Sequence, residues 1–134
     1  RGLNGKLQSH YHIKYAESED GIQWKRDGRV AIDFRPGETN IARSSVVKDH
    51  DGSYKMWFSY VHSEIAKYRI GFAKSVDGYH WERTDEEDKI PKDNYHAKDM
   101  ICYPFVFIFK NKMYMLYNGN NFGKSGFGVA VWEE

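Results

Sequence analysis

One eleven-residue pattern occurs twice in this chain and constrains its fold more than any other feature. The pattern, A-x-S-x-D-G-x-x-W-x-R, begins at Ala16 and again at Ala73, 57 positions later. The residues before it also correspond, since 11–15 reads YHIKY and 68–72 reads YRIGF. A weaker third copy of this leading segment spans 126–130. A fixed period of this order indicates an architecture of repeated structural units.

A second pair of segments repeats between the copies of this Asp-Gly box. The segment 45–58 lines up with 104–117 at an offset of 59. Both segments are rich in β-branched and aromatic residues, which favour strands. Each is interrupted by a short polar stretch, 50–52 or 110–112, whose Asp, Asn or Gly tolerates the positive φ of a hairpin turn. Each unit is therefore predicted to contain four strands, with the Asp-Gly box between the third and the fourth.

The Asp-Gly box is predicted to be a structural turn rather than a catalytic site. Its aspartate can accept backbone N–H groups of its own turn, and its glycine can adopt an unusual φ. Its tryptophan can close the gap to the next unit. The residues given this role are Ser18, Asp20, Gly21 and Trp24 in the first box and Ser75, Asp77, Gly78 and Trp81 in the second.

Four-stranded units of this length, arranged as blades, are typical of a β-propeller. The chain contains the end of one blade at 8–32, a full blade at 41–84 and three strands of the next blade at 100–132. The sequence therefore predicts an all-β, partial β-propeller domain over 1–134, with antiparallel strands and almost no helix. Because a propeller closes with about four to eight blades, about two and a half blades leave open strand edges and apolar faces that favour association.

Composition excludes several classes of function. The net charge is only +1 and no basic stripe is present, which argues against nucleic-acid binding. The single cysteine, Cys102, excludes an intramolecular disulfide and a Cys-rich zinc site. No metal or other cofactor is predicted. The longest apolar stretch, 100–109, is too short to cross a bilayer as a helix, and nothing resembles a signal peptide. The expectation is a cytoplasmic protein with no membrane partner.

Several segments carry a resemblance to a known superfamily, namely 11–24, 42–47, 54–60, 100–106 and 115–120. In these segments the chain resembles the glycosidase-related proteins of the arabinanase, β-xylosidase, invertase and levansucrase superfamily, whose members are five-bladed β-propellers. The resemblance implies a carbohydrate ligand, and it implies that this chain is the C-terminal part of such a propeller. It also implies that the catalytic base lies on a first blade that this chain lacks, so that the chain alone is catalytically incomplete.

The resemblance further implies a pair of carboxylates at the starts of different blades, one acting as acid and the other as base or nucleophile. Asp99, which immediately precedes the innermost strand of the last blade, is the candidate acid/base; a turn-capping role is the alternative. At an offset of 59 its counterpart is Asn40, which is no acid. Arg43 is expected to face inward and to position a carboxylate or the substrate, with an inter-blade salt bridge as the alternative.

Other candidates are expected to contribute to the same pocket by stacking and hydrogen bonding. These substrate-binding candidates are Tyr103, Asn118, Asn120, His62 and His96. The segment 118–121 is equally compatible with a turn, and Asn121 is predicted to be a left-handed turn residue. Cys102 is predicted to be a buried apolar residue rather than a nucleophile.

Three functions remain open at this point. A glycosidase-like protein requires two carboxylates roughly 5 to 10 Å apart in an axial cleft. A non-catalytic glycan-binding or structural propeller would have an aromatic pocket without such a pair. A self-assembling module would pair as a homodimer, closing a pseudo-propeller and bringing Asp99 of both chains towards a shared axis.

Overall fold

The computed structural model describes residues 9–87 and 98–133. In this part of the chain the strands are β1 Ile13–Lys14, β2 Val30–Ile32, β3 Glu38–Lys48, β4 Tyr54–His62, β5 Tyr68–Ser75, β6 Glu82–Arg83, β7 Cys102–Phe109, β8 Lys112–Asn118 and β9 Phe127–Val131. The helical elements found among these residues are a 3₁₀ turn at Asp85–Glu87 and a four-residue segment, α1, at Asn120–Gly123. The prediction of an all-β fold with almost no helix is confirmed.

The strands form three antiparallel sheets in chain order: a first sheet of β1–β2, a middle sheet of β3–β6 and a last sheet of β7–β9. No closed sheet occurs among residues 9–87 and 98–133, so the propeller stays a prediction. His96 and most of the loop between the middle and last sheets lie outside the described residues.

The middle sheet is buried on both faces. Trp57 and Phe72 belong to a cluster shared with the last sheet, whereas Met56 and Phe58 belong to a cluster shared with the first sheet. Successive residues of a strand point to opposite faces, which explains how β4 contributes to both clusters. The three sheets are therefore stacked face to face, with the middle sheet between the other two.

The two Asp-Gly boxes form the same turn. In each box the aspartate Oδ1 accepts two backbone N–H groups at 2.8 Å, and the tryptophan Nε1 donates to the glycine carbonyl. The glycine φ is 73° in the first box and 74° in the second. The backbone pairs that close the turns are Glu17 with Lys25 and Lys74 with Glu82, again 57 positions apart. In the middle sheet this turn joins the third strand to the fourth.

The innermost strands of the middle and last sheets each contain a β-bulge at the same place in the repeat. The pairing register of β3 shifts around Arg43, and that of β7 shifts around Tyr103. Both residues have a left-handed φ, of 55° and 56°. A bulge interrupts the alternation of faces, and Arg43 is exposed. The Arg43 side chain is therefore not buried among the described residues, and its role in positioning a carboxylate or substrate stays a prediction.

The hairpin turn after the innermost strand is shorter in the last sheet. Lys110 and Asn111 form it with φ values of 48° and 61°, the signs that a two-residue hairpin turn requires. The corresponding turn of the middle sheet contains 50–52, which is one residue more. The innermost strands are consequently related by 60 positions and the strands after them by 59.

This difference corrects the counterpart assigned to Asp99. The backbone N–H of Ile41 donates to the carbonyl of Tyr11 at 2.9 Å, and that of Ile101 donates to the carbonyl of Tyr68 at 3.3 Å. The two donors are 60 positions apart, so the innermost strands begin in the same way at that offset. Asp99 therefore corresponds to Thr39 and not to Asn40.

The third strands of the middle and last sheets also match in detail. Gly71 of β5 lies against the ring of Phe58, and Gly128 of β9 lies against the ring of Tyr117. A side chain at either glycine would overlap the ring beside it. Because the two glycines are 57 positions apart, the weak third copy of the leading segment is a structural copy as well.

Candidate functional site

A cleft of about 400 Å³ opens between the middle and last sheets, at the start of the innermost strand β7. Asp99 and Asn120, two of the residues selected from the sequence, both line it. The other lining residues are Asn40, Val61, Ala66, Lys67, Tyr68, Met100, Asn121 and Phe122. The described part of the cleft thus combines aromatic rings, amides, one ammonium group and one carboxylate.

Asn120 fixes the segment that leads into β7. Its side-chain oxygen accepts the backbone N–H of Asp99 at 3.0 Å and that of Met100 at 2.9 Å. The turn that carries Asn120 continues through Asn121 and Phe122, whose φ values of 52° and 57° are left-handed. The left-handed geometry predicted for Asn121 is present. Asn120 is therefore a structural link across the cleft. Its prediction as a substrate-binding residue did not include this role.

Asp99 is exposed at the edge of the cleft. Its carbonyl oxygen accepts Nη1 of Arg69 at 2.7 Å, which holds the backbone in place. Within residues 9–87 and 98–133, its carboxylate makes no hydrogen bond or ion pair. The carboxylate is therefore available to a ligand, whereas the alternative of a turn cap has no support in this part of the chain.

Three aromatic rings contact one another beside the cleft. The ring of Tyr68 lies 5.7 Å from that of Tyr103 and 6.0 Å from that of Phe122, and the last two rings are 5.9 Å apart. Burial raises the pKa of Tyr68 above its usual value, and the neighbouring Tyr103 raises that pKa further. The phenol of Tyr68 is therefore a neutral hydrogen-bonding group at physiological pH, able to donate and to accept.

Tyr103 and Asn118 line a different cleft from Asp99. This second cleft, of about 260 Å³, lies along the outer face of the last sheet. Arg43 lines neither cleft, but its guanidinium lies 5.5 Å from the centre of the Tyr103 ring. The predicted single pocket is therefore divided: Asp99 and Asn120 are brought together, Tyr103 adjoins them through its ring contacts, and Asn118 is on the other side.

Of the two histidine candidates, only His62 lies among the described residues, and it is not at the cleft. The ring of His62 packs on Gly37, and its carbonyl oxygen accepts the backbone N–H groups of Ile65 and Ala66 at the β4–β5 turn. His62 does not line either cleft. His96 lies outside the described residues.

Cys102 is fully buried in β7, next to the bulge. Burial raises the pKa of its thiol to about 11, so the thiolate that nucleophilic chemistry requires is scarce near neutral pH. This agrees with its interpretation as a buried apolar residue.

Two carboxylates do lie close together elsewhere, on either side of Arg83. Glu38 accepts both terminal nitrogens of Arg83 at 2.7 and 2.9 Å, and Asp85 accepts Nη2 at 2.6 Å. Burial opposes the charge on Arg83, but its bonds to Glu38 and Asp85 outweigh burial and raise its pKa. The side chain of Glu38 is only 4% exposed. Since both acids are committed to Arg83, the cluster stabilises the fold and offers no free acid/base pair.

Sequence reasoning missed Tyr68, Phe122 and Lys67 as lining residues. Tyr68 carried a signal, because it matches Tyr11 in the repeat, but its contact with Tyr103 depends on the packing of two sheets. Phe122 follows the turn predicted at 118–121, but its own left-handed φ of 57° and its contact with Tyr68 were not predicted. Among the described residues, no group of three His, Cys, Asp or Glu side chains is arranged to hold a metal ion. No helix of that part of the chain is long and apolar enough to span a membrane.

Comparison with known proteins gives relatives but no function. No protein-family model matches the chain. Similar proteins include the uncharacterized protein Rv1502 of Mycobacterium tuberculosis strain H37Rv and the uncharacterized protein MT1551 of strain CDC 1551, each 42% identical over 124 residues. The match covers 90% of this chain but only 40% of each relative. The chain therefore spans less than half the length of the curated relatives it matches.

Proposed function

We propose that this chain is part of a β-propeller of the glycosidase-related kind and that it supplies one side of a glycan-binding cleft. The repeated sheet, with its equivalent box, bulge and third strand, supports the propeller, because radial repetition of such sheets is how propellers are built. The resemblance to the arabinanase, invertase and levansucrase superfamily supports a carbohydrate as the ligand.

The composition of the 400 Å³ cleft is the observation on which the glycan proposal rests. A sugar presents apolar C–H faces and a rim of hydroxyl groups, so it is recognised by aromatic stacking together with amide and carboxylate hydrogen bonds. Tyr68 and Phe122 provide the rings, and Asn40, Asn121 and Asp99 provide the polar groups. A ligand of another class, such as a nucleic acid, would need a concentration of positive charge, whereas Lys67 is the single cationic residue among the described residues that line the cleft.

Binding is proposed in preference to hydrolysis for this chain alone. Hydrolysis of a glycosidic bond requires two carboxylates on opposite sides of that bond. Asp99 is the single acidic residue among the described residues that line the cleft. We propose that Asp99 acts as an acid/base only when a second carboxylate reaches the cleft from further blades or from a second copy of the chain.

Titration of the protein with neutral oligosaccharides, followed by amide NMR, tests the proposal. Binding should shift the amide signals of 99–103 and 119–123. The variant Asp99→Asn should weaken binding about tenfold, since a hydrogen bond to a charged group contributes about 1.5–3 kcal/mol. Phe122→Ala should weaken it through the loss of stacking.

Matched controls are available on other sheets and turns. Glu19→Gln removes an exposed carboxylate of the first box, and Phe109→Ala removes a ring that is 56% exposed, close to the 55% of Phe122. Neither control should change affinity. If no oligosaccharide shifts the cleft signals, or if the controls weaken binding as much as Asp99→Asn, the glycan proposal is wrong.

Association is the second part of the proposal, in either of two forms. The exposed apolar residues of the last sheet, among them Phe127 and Val129, favour contact with a further apolar face. The face would be covered by missing blades of a longer protein or, in the isolated chain, by a second copy that forms a homodimer. Light scattering decides the state of the isolated chain, whose monomer mass is 15.8 kDa.

A further inference from the structure

The outer face of the last sheet is apolar and uncovered among the described residues. Phe105 of β7 is 60% exposed, and Phe127 and Val129 of β9 are 66% and 57% exposed. Cross-strand pairing places Leu116 on the same face, between Phe105 and Val129. A sheet face of this kind is unusual on a folded monomer and marks an interaction surface.

The repeat shows what such a face does in the middle sheet. The residues of the middle sheet that correspond to Leu116, Phe127 and Val129 are Trp57, Ile70 and Phe72. Those three are at most 8% exposed, because the last sheet packs on them. The same face is therefore an interface in one copy of the repeat and exposed in the next.

A polar contact accompanies this interface. The hydroxyl of Ser59 in β4 accepts the backbone N–H of Tyr103, the bulge residue of the next innermost strand, at 2.8 Å. Asn118 occupies the corresponding position in β8, opposite Phe127 as Ser59 is opposite Ile70. Within the described residues, the side chain of Asn118 makes no hydrogen bond. Asn118 therefore carries an amide oxygen, a hydrogen-bond acceptor, at the repeat position where Ser59 accepts a bulge N–H.

We propose that the outer face of the last sheet is covered by a further antiparallel sheet of the same repeat, whose innermost strand donates a backbone N–H at its bulge to Asn118. This occupant belongs to the longer polypeptide of which the matched region is a part. The 124 matched residues are 40% of each M. tuberculosis relative, so about 190 residues of each relative lie outside the match. That length is enough for about three more repeats of this size.

A second copy of this chain does not offer the same contact. Its two described innermost strands are already in use, since β3 packs on the first sheet and β7 packs on the middle sheet. No uncovered innermost strand with a bulge is left in 9–87 or 98–133 to donate to Asn118. The inference rests on the proposed propeller but is independent of the glycan ligand, because it depends only on the repeat and on the lengths of the relatives.

Hydroxyl-radical footprinting of this chain and of full-length Rv1502 tests the inference. Side chains of 127–131 should react readily in the 134-residue chain. The aligned side chains of the long relative should react about tenfold more slowly, at every protein concentration. Equal reactivity in the two proteins would overturn the inference. Protection that appears in the relative only as its concentration rises would also overturn it, in favour of a second copy.

A substitution gives a second, independent measurement. Glutamate at the position of Val129 should lower the Tm of the long relative by at least several degrees, because it places a charge in a buried interface. The same change in the 134-residue chain should leave its Tm nearly unchanged. The control Val76→Glu, at a residue that is 86% exposed in the second box, should have no effect in either protein. An unchanged Tm of the long relative with the Val129 substitution would contradict the proposal.

Discussion

The middle sheet and the last sheet are built from the same repeat, yet they differ in what covers them. Both have a bulge with a left-handed residue, and in both a glycine of the third strand lies against an aromatic ring. Among residues 9–87 and 98–133, the middle sheet has a neighbour on each face, whereas the last sheet has one on a single face. The backbone geometry of the repeat is therefore set locally, while burial depends on the adjacent sheet.

The two Asp-Gly boxes show the same separation on a smaller scale. Their backbone hydrogen bonds agree within about 0.1 Å. Trp81 is partly buried against the cluster between the first and middle sheets, whereas Trp24 is 56% exposed. A short sequence pattern can specify its own turn completely without specifying the packing of its largest side chain.

The largest expected effect comes from shortening an apolar side chain at the same position of the repeat in both sheets. Ile70→Ala should lower the free energy of unfolding by about 2–5 kcal/mol, because it leaves a cavity in the core. Phe127→Ala removes a larger side chain but should cost less than about 1 kcal/mol, because Phe127 is 66% exposed. Urea denaturation of both variants at low protein concentration measures the two losses. Equal losses would show that the last sheet is covered in the isolated chain.

The sequence was sufficient for the features that depend on neighbouring residues. The paired boxes, the hairpin at 110–112 and the strands of the middle and last sheets follow from local patterns and from the period of the repeat. Each of these depends on turn chemistry or on alternation within one strand. The physical determinants are close together in the chain, so they can be read from it.

The features that the sequence did not show depend on a single inserted or deleted residue, or on contact between sheets. The bulge at Arg43 gives that residue a left-handed φ and an exposed side chain, which nothing in the sequence around it indicated. The turn at 110–111 is one residue shorter than its counterpart, so the offset assigned to Asp99 was wrong by one. Tyr68 and Phe122 meet across two sheets, and no local pattern could indicate that contact.

An intermediate effect should distinguish the two boxes by their dependence on pH. The bond from His80 Nδ1 to Asp77, at 2.7 Å, and then the turn N–H groups lower the pKa of Asp77. The pKa of Asp20 is lowered by the backbone N–H groups of its turn and then by the hydroxyl of Ser18, with no histidine involved. Both pKa values lie below the usual 3.8, so each aspartate stabilises the fold above that pH, and its contribution is lost as the pH falls below it.

Asp77→Asn should therefore lower the Tm at neutral pH more than Asp20→Asn does. The difference from the unsubstituted chain should shrink as the pH falls below 3.8, the ordinary pKa of an aspartate carboxyl, because the unfolded chain then takes up protons before the folded one does. Circular dichroism melting curves across this range provide the measurement. Glycan binding at the cleft should stay intact in both variants, and a variant that lost binding while keeping its Tm would show that its box is functional rather than structural.

The smallest expected effect concerns the bulge residues, and its sign is informative. A left-handed φ costs a non-glycine residue about 1–2 kcal/mol, of which the greater freedom of glycine in the unfolded chain offsets a part. Arg43 is exposed and has no carboxylate partner among the described residues, so Arg43→Gly should raise the free energy of unfolding by about 0.5 kcal/mol. Tyr103→Gly should lower it, because the ring of Tyr103 packs against Tyr68 and Phe122. Urea denaturation of the two variants gives both signs.

A stability gain in Arg43→Gly would mean that the repeat keeps a strained arginine beside the Tyr103 ring without benefit to folding, which is expected of a residue that serves a ligand. A loss as large as that of Tyr103→Gly would instead assign Arg43 to the fold and would remove it from the candidate site.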